Sequence, residues 1–239
     1  MASRTRVRAG LAGMVAALWL VAGCSGGEDN APADELTAAG ALAAAQERFD
    51  SATSAHFVLT SADLPPGRAA LVGGEGVAAR PPAFQGDLDV LLGGGTVTVS
   101  VISVGGTVYA KLPFATGYQE TDPSAFGISD PATFLDPERG LSRLFTEMTD
   151  PKLAGQSRIA GDVVQKVTGK VPGEVVDEVL TTADPSAPVD VTLSLVDGTS
   201  ELRRAVLTGP FFAADTQSTY TVVLDRYGED VQIDAPPTG

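Results

Sequence analysis

Cysteine, histidine and tryptophan each occur once in the 239 residues, as Cys24, His56 and Trp19. A lone cysteine cannot close an intramolecular disulfide, so the fold must be held by its core. Basic side chains are scarce, 16 against 30 acidic ones for a formal charge of −14. Phosphate backbones are bound by clustered cations, and this balance argues against nucleic acid as a partner. Long apolar runs are missing as well: the greasiest stretch, residues 10–22, is shorter than the ~20 residues that cross a bilayer as a helix.

That short run has a context. Arg4, Arg6 and Arg8 precede it with no acid among them, and it ends in Val21, Ala22, Gly23 and Cys24. Basic start, apolar middle and small residues form a secretory signal, and a branched aliphatic, two small residues and cysteine form the bacterial lipobox. Residues 1–23 are therefore expected to be a lipoprotein signal peptide, and Cys24 to carry a diacylglyceryl group at the mature N-terminus. Several acyl chains at ~0.8 kcal/mol per buried methylene give durable attachment where one short chain does not. Residues 24–33, polar with Gly and Pro, read as a flexible tether. Loss of the three signal arginines leaves 13 basic against 30 acidic side chains, a net −17. Such a body is repelled by anionic head groups and should stand off the membrane.

The remainder, 34–239, shows no repeat and no internal linker, so a single domain is expected. Residues 34–50, with acids first and then Leu36, Ala39, Leu42, Ala43 and Phe49 at helical spacing, predict an amphipathic helix. Alternating strands follow. "AHFVLTSA" is one, and "RAALVGGEGVAARPPAFQG" reads as a short strand, a glycine turn and another strand. "QGDLDVLLGGGTVTVSVIS" predicts a hairpin across the 93–95 glycines, with Leu88, Val90 and Leu92 against Asp87 and Asp89 on one arm and Val97, Val99 and Val101 on the other. "VGGTVYAKL" continues the meander. A Pro- and Asp-rich stretch with a short helix at 132–135 leads to a helix over 141–148, apolar at Leu141, Leu144, Phe145 and Met148. A hairpin in "GQSRIAGDVVQKVTGKV", a helix in "PGEVVDEVLT" and strands in "PVDVTLSLVDG", "LRRAVLTGP" and "STYTVVLDRYG" complete the chain, with "VQIDAPP" as a short end. Antiparallel strands dominate, so the fold class is α+β: a large twisted antiparallel sheet with helices on one face.

Chemistry-bearing constellations are few. A Ser-His-Asp triad would have to run through His56, and no serine lies in a Gly-x-Ser-x-Gly elbow. Asp87 and Asp89 share a strand face and read as its solvated side. The glycines at 73–76 and 93–95 open no helix and read as turns rather than phosphate loops. Arg139, Arg143, Lys152 and Arg158 would make a basic spot only if the fold brings them together. Periodicity does not separate a close-packed core from an open apolar cavity.

The runs "SATSAHFVLT", "PPAFQGDLDV", "TVYAKL", "DPATFLDPERGLSRLF" and "YGEDVQIDAPP", in this order after a lipobox, resemble the mycobacterial LprG/LppX family of lipoproteins, on its LprG side. The resemblance implies a half-barrel sheet whose concave face is closed by helices, similar to the LolA/LolB carriers. Between them it implies an apolar cavity for the acyl chains of triacylated glycolipids or triacylglycerol. Carried onto this chain, the lipid-facing positions are Leu88, Val90, Leu92, Val97, Val99, Val101, Val108, Leu141, Leu144, Phe145, Val176 and Val179. The chain departs from the family in the Gly- and Ala-rich loop over 64–80. The implied activity is non-enzymatic carriage of lipid from the outer face of the cytoplasmic membrane toward the outer envelope, beside a major-facilitator exporter, with no cofactor, metal or catalytic residue. Two alternatives stay open: a scaffold or binding protein for an envelope transport assembly, and a lipid hydrolase working through His56.

Overall fold

The computed structural model describes residues 37–65 and 70–237. The signal segment 1–23, Cys24 and the tether 24–33 lie outside the described residues. Helix α1 (Ala38–Asp50) starts where Thr37 caps it: the backbone there is extended and the Thr37 hydroxyl oxygen accepts the Gly40 N–H at 3.0 Å. The described helix begins at 38 rather than 34, because the Thr37 side-chain acceptor in the extended conformation satisfies a first-turn donor. Ala41, Leu42, Ala45 and Phe49 form its buried stripe.

The strands are β1 (Ser54–Ala62), β2 (Ala70–Ala79), β3 (Ala83–Leu92), β4 (Gly95–Val104), β5 (Thr107–Lys111) and the two-residue β6 (Gln119–Glu120), then β7 (Thr149–Ile159), β8 (Asp162–Val171), β9 (Val189–Val196), β10 (Leu202–Ala213) and β11 (Thr216–Asp225). All eleven join one antiparallel sheet in the order β6-β5-β4-β3-β2-β1-β11-β10-β9-β8-β7. The chain enters at the middle with β1 and meanders to the β6 edge. It then crosses one face through the segment between β6 and β7, starts again at the far edge, and meanders back until β11 pairs with β1, His56 opposite Asp225. The crossing segment contains two 3-10 turns, Pro123–Phe126 and Pro131–Leu135, and helix α2 (Arg143–Thr146); α3 (Gly173–Asp177) joins β8 to β9. The Pro131–Leu135 turn lies over β2, β3 and β4, while α1 lies over β7 and β8.

Alternation decides which face is covered. On β3, Phe84, Leu88 and Val90 are buried. Asp87 and Asp89 point the other way, accepting the Ser100 and Thr98 hydroxyls at 2.7 and 2.6 Å. The 93–94 and 105–106 turns have the positive φ that two-residue hairpins require.

Three expectations are corrected. Residues 70–79 run as one strand through the 73–76 glycines, and the reversal comes after Ala79. Gly76 stands opposite Gly86 in the β2–β3 ladder. A Cβ on Gly86 would sit 2.3 Å from the Glu75 carbonyl oxygen, and one on Gly76 would sit 2.6 Å from that of Gln85. Those glycines serve close strand approach within the sheet, not a turn. The helices expected over 141–148 and in "PGEVVDEVLT" contract to four and five residues, although their apolar stripes stay buried apart from the half-buried Val179. The short end over 231–237 runs as irregular chain, in keeping with its reading as an end.

Candidate functional site: an apolar chamber between sheet and helices

The covered face of the sheet and its helical layer do not close completely. The sheet wall is Phe57 and Leu59 from β1, Leu71 from β2, Phe84 and Leu88 from β3, and Leu207, Tyr220 and Val222 from β10 and β11. The opposite wall comes from Ile128, Pro131 and Phe134, from Leu141 and Leu144 beside α2, and from Val175, Val176, Val179 and Leu180 around α3. The cavity measures about 100 Å³, within about 890 Å³ of empty space that includes solvent at its open side. It is a thin crevice. A second, smaller void continues toward the β6 edge beneath Leu88, Val90, Val99, Val101 and Val108, and Leu88, Ile128 and Pro131 border both.

Three of the polar side chains in the chamber wall, those of Tyr220, Asp130 and Thr133, are already engaged. Tyr220 donates its hydroxyl to the Leu71 carbonyl at 2.9 Å, and burial pushes its phenol above the usual tyrosine range. Asp130 accepts the Ser103 hydroxyl at 2.5 Å and the Ala132 N–H at 2.9 Å, and the Thr133 hydroxyl donates to the Asp130 carbonyl at 2.7 Å. A ligand entering here meets mainly carbon surface, because most of the lining is apolar and Tyr220, Asp130 and Thr133 are bonded within the wall. Two aromatic contacts stiffen the β1 side: Phe57 stacks on Phe134 at 5.0 Å and tilts against Phe84 at 5.6 Å.

Charge acts on the outside of the helical wall. Arg143 of α2 pairs with Glu178, just past α3, and lies 3.8 Å from Glu147. The hydrogen bond that Arg143 donates to the Glu178 carboxylate raises the Arg143 pKa further. This pair clasps the two helices that supply Leu144 and Val176. Two more residues of the expected basic spot have local partners: Arg139 pairs with Asp136 at 2.8 Å, and Arg158 donates to the Gly161 carbonyl at 3.2 Å. His56 lies on the sheet face away from the chamber, its Nδ1 2.7 Å from Asp225 Oδ1.

Of the lipid-facing positions expected from sequence, Leu88, Leu141, Leu144, Val176 and Val179 line the main chamber. Val90, Val99, Val101 and Val108 line the second void. Leu92 and Val97, close to the 93–94 turn, are half-buried against the core and line neither. Phe145 turns toward α1 and meets Phe49 with ring centroids 5.7 Å apart. The β1 and β11 wall was absent from that set. Alternation in "HFVLT" puts Phe57 and Leu59 on one face, and "TYTVV" does the same for Tyr220 and Val222, but only the pairing of β1 with β11 shows that these faces meet.

A model of the LppX_LprAFG lipoprotein family matches residues 37–233. The chain is 27% identical over 228 residues to the lipoarabinomannan carrier protein LprG of Mycobacterium tuberculosis, an alignment covering 95% of this chain and 94% of that one. It is 24% identical over 234 residues to the protein of the same name from Mycobacterium leprae, covering 97% and 95%. Among solved structures, LprF from Mycobacterium bovis aligns with a TM-score of 0.66 at 21% identity, over 84% of this chain and 97% of that one. LppX from Mycobacterium tuberculosis aligns at 0.58 and 16% identity, over 82% and 98%. The fold is shared with both.

Proposed function

Because the chain belongs to the LppX_LprAFG lipoprotein family, we propose that its chamber receives the acyl chains of a glycolipid or triacylglycerol, and that the protein carries them, tethered through Cys24, from the cytoplasmic membrane toward the outer envelope. The observation that carries this reading is the wall itself: a crevice faced mainly by apolar side chains, with Tyr220 and Asp130 bonded within the wall. A two- or three-chain lipid drawn into water exposes dozens of methylenes at ~0.8 kcal/mol each, and a protein wall that replaces the membrane as the chains withdraw removes that barrier. No chemical step is required, and the role is carriage rather than turnover. Relatives named as lipoarabinomannan carriers favour an acylated glycolipid as cargo. The crevice is thin, so multichain cargo needs the α2 and α3 wall to move outward from the sheet, which the short helices and the surface Arg143–Glu178 clasp allow. A major-facilitator exporter is the partner this reading adds.

Native mass spectrometry of the exported Cys24→Ala chain tests the reading. The expected result is a folded protein released from the membrane that carries lipid-sized mass increments removable by organic extraction. Retention on the membrane after a salt wash would contradict the anchor. A lipid-free protein that takes up no fluorescent fatty acid would contradict the carrier.

A further inference from the structure

The loop between β5 and β6, residues 112–118, presents apolar side chains to water at the sheet edge: Phe114 is 100% exposed and Leu112 is 48% exposed, with exposed Pro113 between them. Scattered surface leucines are ordinary, but a wholly exposed phenylalanine at a loop tip beside a second large apolar residue marks a contact surface.

The charge pattern of the same region says what it contacts. In a chain with 30 acidic residues, the stretch 90–119 contains none, and Lys111 is its single charged side chain. That stretch runs from the end of β3 through β4, β5 and the loop to the first residue of β6, so this loop edge can approach an anionic lipid surface with little repulsion at close range. The second void lies directly behind it: Val108 of β5 lines that void together with Thr121, Pro123 and Phe126, which follow β6. The main chamber shares Leu88, Ile128 and Pro131 with it.

We propose that the 112–118 loop is a membrane wedge: Phe114 and Leu112 enter the headgroup region of a lipid bilayer and seat the β5–β6 edge on it, so that acyl chains pass through the second void into the chamber. The seating half stands on exposure and charge; the passage half rests on the chamber's being the acyl-chain site. Aromatic and aliphatic residues on a short rigid loop are suited to this depth, since the loop backbone stays at the hydrated level while the side chains reach the acyl boundary.

The test compares the exported full chain carrying Cys24→Ala, so that no acyl anchor contributes, with the same chain carrying Leu112→Ser and Phe114→Ser. Both side chains are exposed, so folding should be unaltered, which circular dichroism verifies. Co-sedimentation with phosphatidylcholine vesicles should fall about tenfold or more in the serine variant, the effect of returning large apolar side chains to water. Added salt should leave the parent's binding to these neutral vesicles unchanged. Extraction of a fluorescent acyl lipid from the vesicles should slow in parallel, while binding of a fluorescent fatty acid delivered from solution stays the same. Equal vesicle binding by the two chains would overturn the proposal and leave the loop to a protein partner. Failure of the parent to bind fatty acid, with loop-dependent vesicle binding retained, would remove the chamber reading and leave the membrane contact standing.

Discussion

Tyr220 shows how a single side chain serves the chamber. Its ring lies edge-on to Phe211 at 5.2 Å, and its hydroxyl is tied to the Leu71 carbonyl two strands away, across β1. Replacement by phenylalanine keeps the apolar wall and leaves a buried carbonyl without that donor, at a cost of about 1–3 kcal/mol. Burial raises the phenol pKa of Tyr220, and also that of Tyr227, where nearby Glu201 adds to it. A raised folded-state value means that the folded protein holds protons the unfolded chain releases near pH ~10. Stability from these groups is therefore complete below that pH and declines as pH rises through it. Urea unfolding midpoints at pH 8 and above 10 should show a marked drop in the parent and a smaller one in Tyr220→Phe, with Tyr227 supplying the remainder. Alternation puts Tyr220 and Val222 on one face of β11 but indicates neither that this face is inward nor the hydroxyl's distant acceptor, because both depend on strands brought together by long-range pairing.

Among the elements, β2 and β3 carry the clearest lesson about legibility. The β3–β4 hairpin is readable because polar and apolar residues alternate over 87–90 and 96–101 and its turn glycines adopt positive φ. The 73–76 glycines were read as a turn because local punctuation does not distinguish a reversal from a close strand approach; the partner, Gly86, sits across the ladder. Short helices were over-extended for a related reason: apolar spacing at Leu141, Leu144 and Met148 records which residues face the core, and irregular backbone meets that demand as well as a helix does. Gly86→Ala should accordingly lower the thermal midpoint, at about 1–3 kcal/mol as in other overpacked cores, since its Cβ would press on the Glu75 carbonyl and the Gly76 Cα. Gly95→Ala, which meets nothing within 4 Å, should stay within about 0.5 kcal/mol of the parent. Equal melts for the two would mean that the β2–β3 approach is looser than described.

For the whole molecule, the topology explains why a chamber forms. A sheet entered at its centre and closed by β11 beside β1 places its two meanders on either side of one apolar face, and the crossing segment covers that face with turns and short helices rather than a continuous layer. Residue composition foretold an apolar face; whether it would be filled or hollow depended on how the crossing segment folds. Leu88 borders both voids, so it reports on this directly. In Leu88→Trp the added bulk would occupy space meant for acyl chains. The decisive measurement is a thermal melt of the delipidated variant beside displacement of a fluorescent fatty acid. The account predicts a melt close to that of the parent with fatty-acid binding abolished. Unchanged binding with a clearly lowered melting temperature, the about 1–3 kcal/mol signature of an overpacked interior, would contradict it.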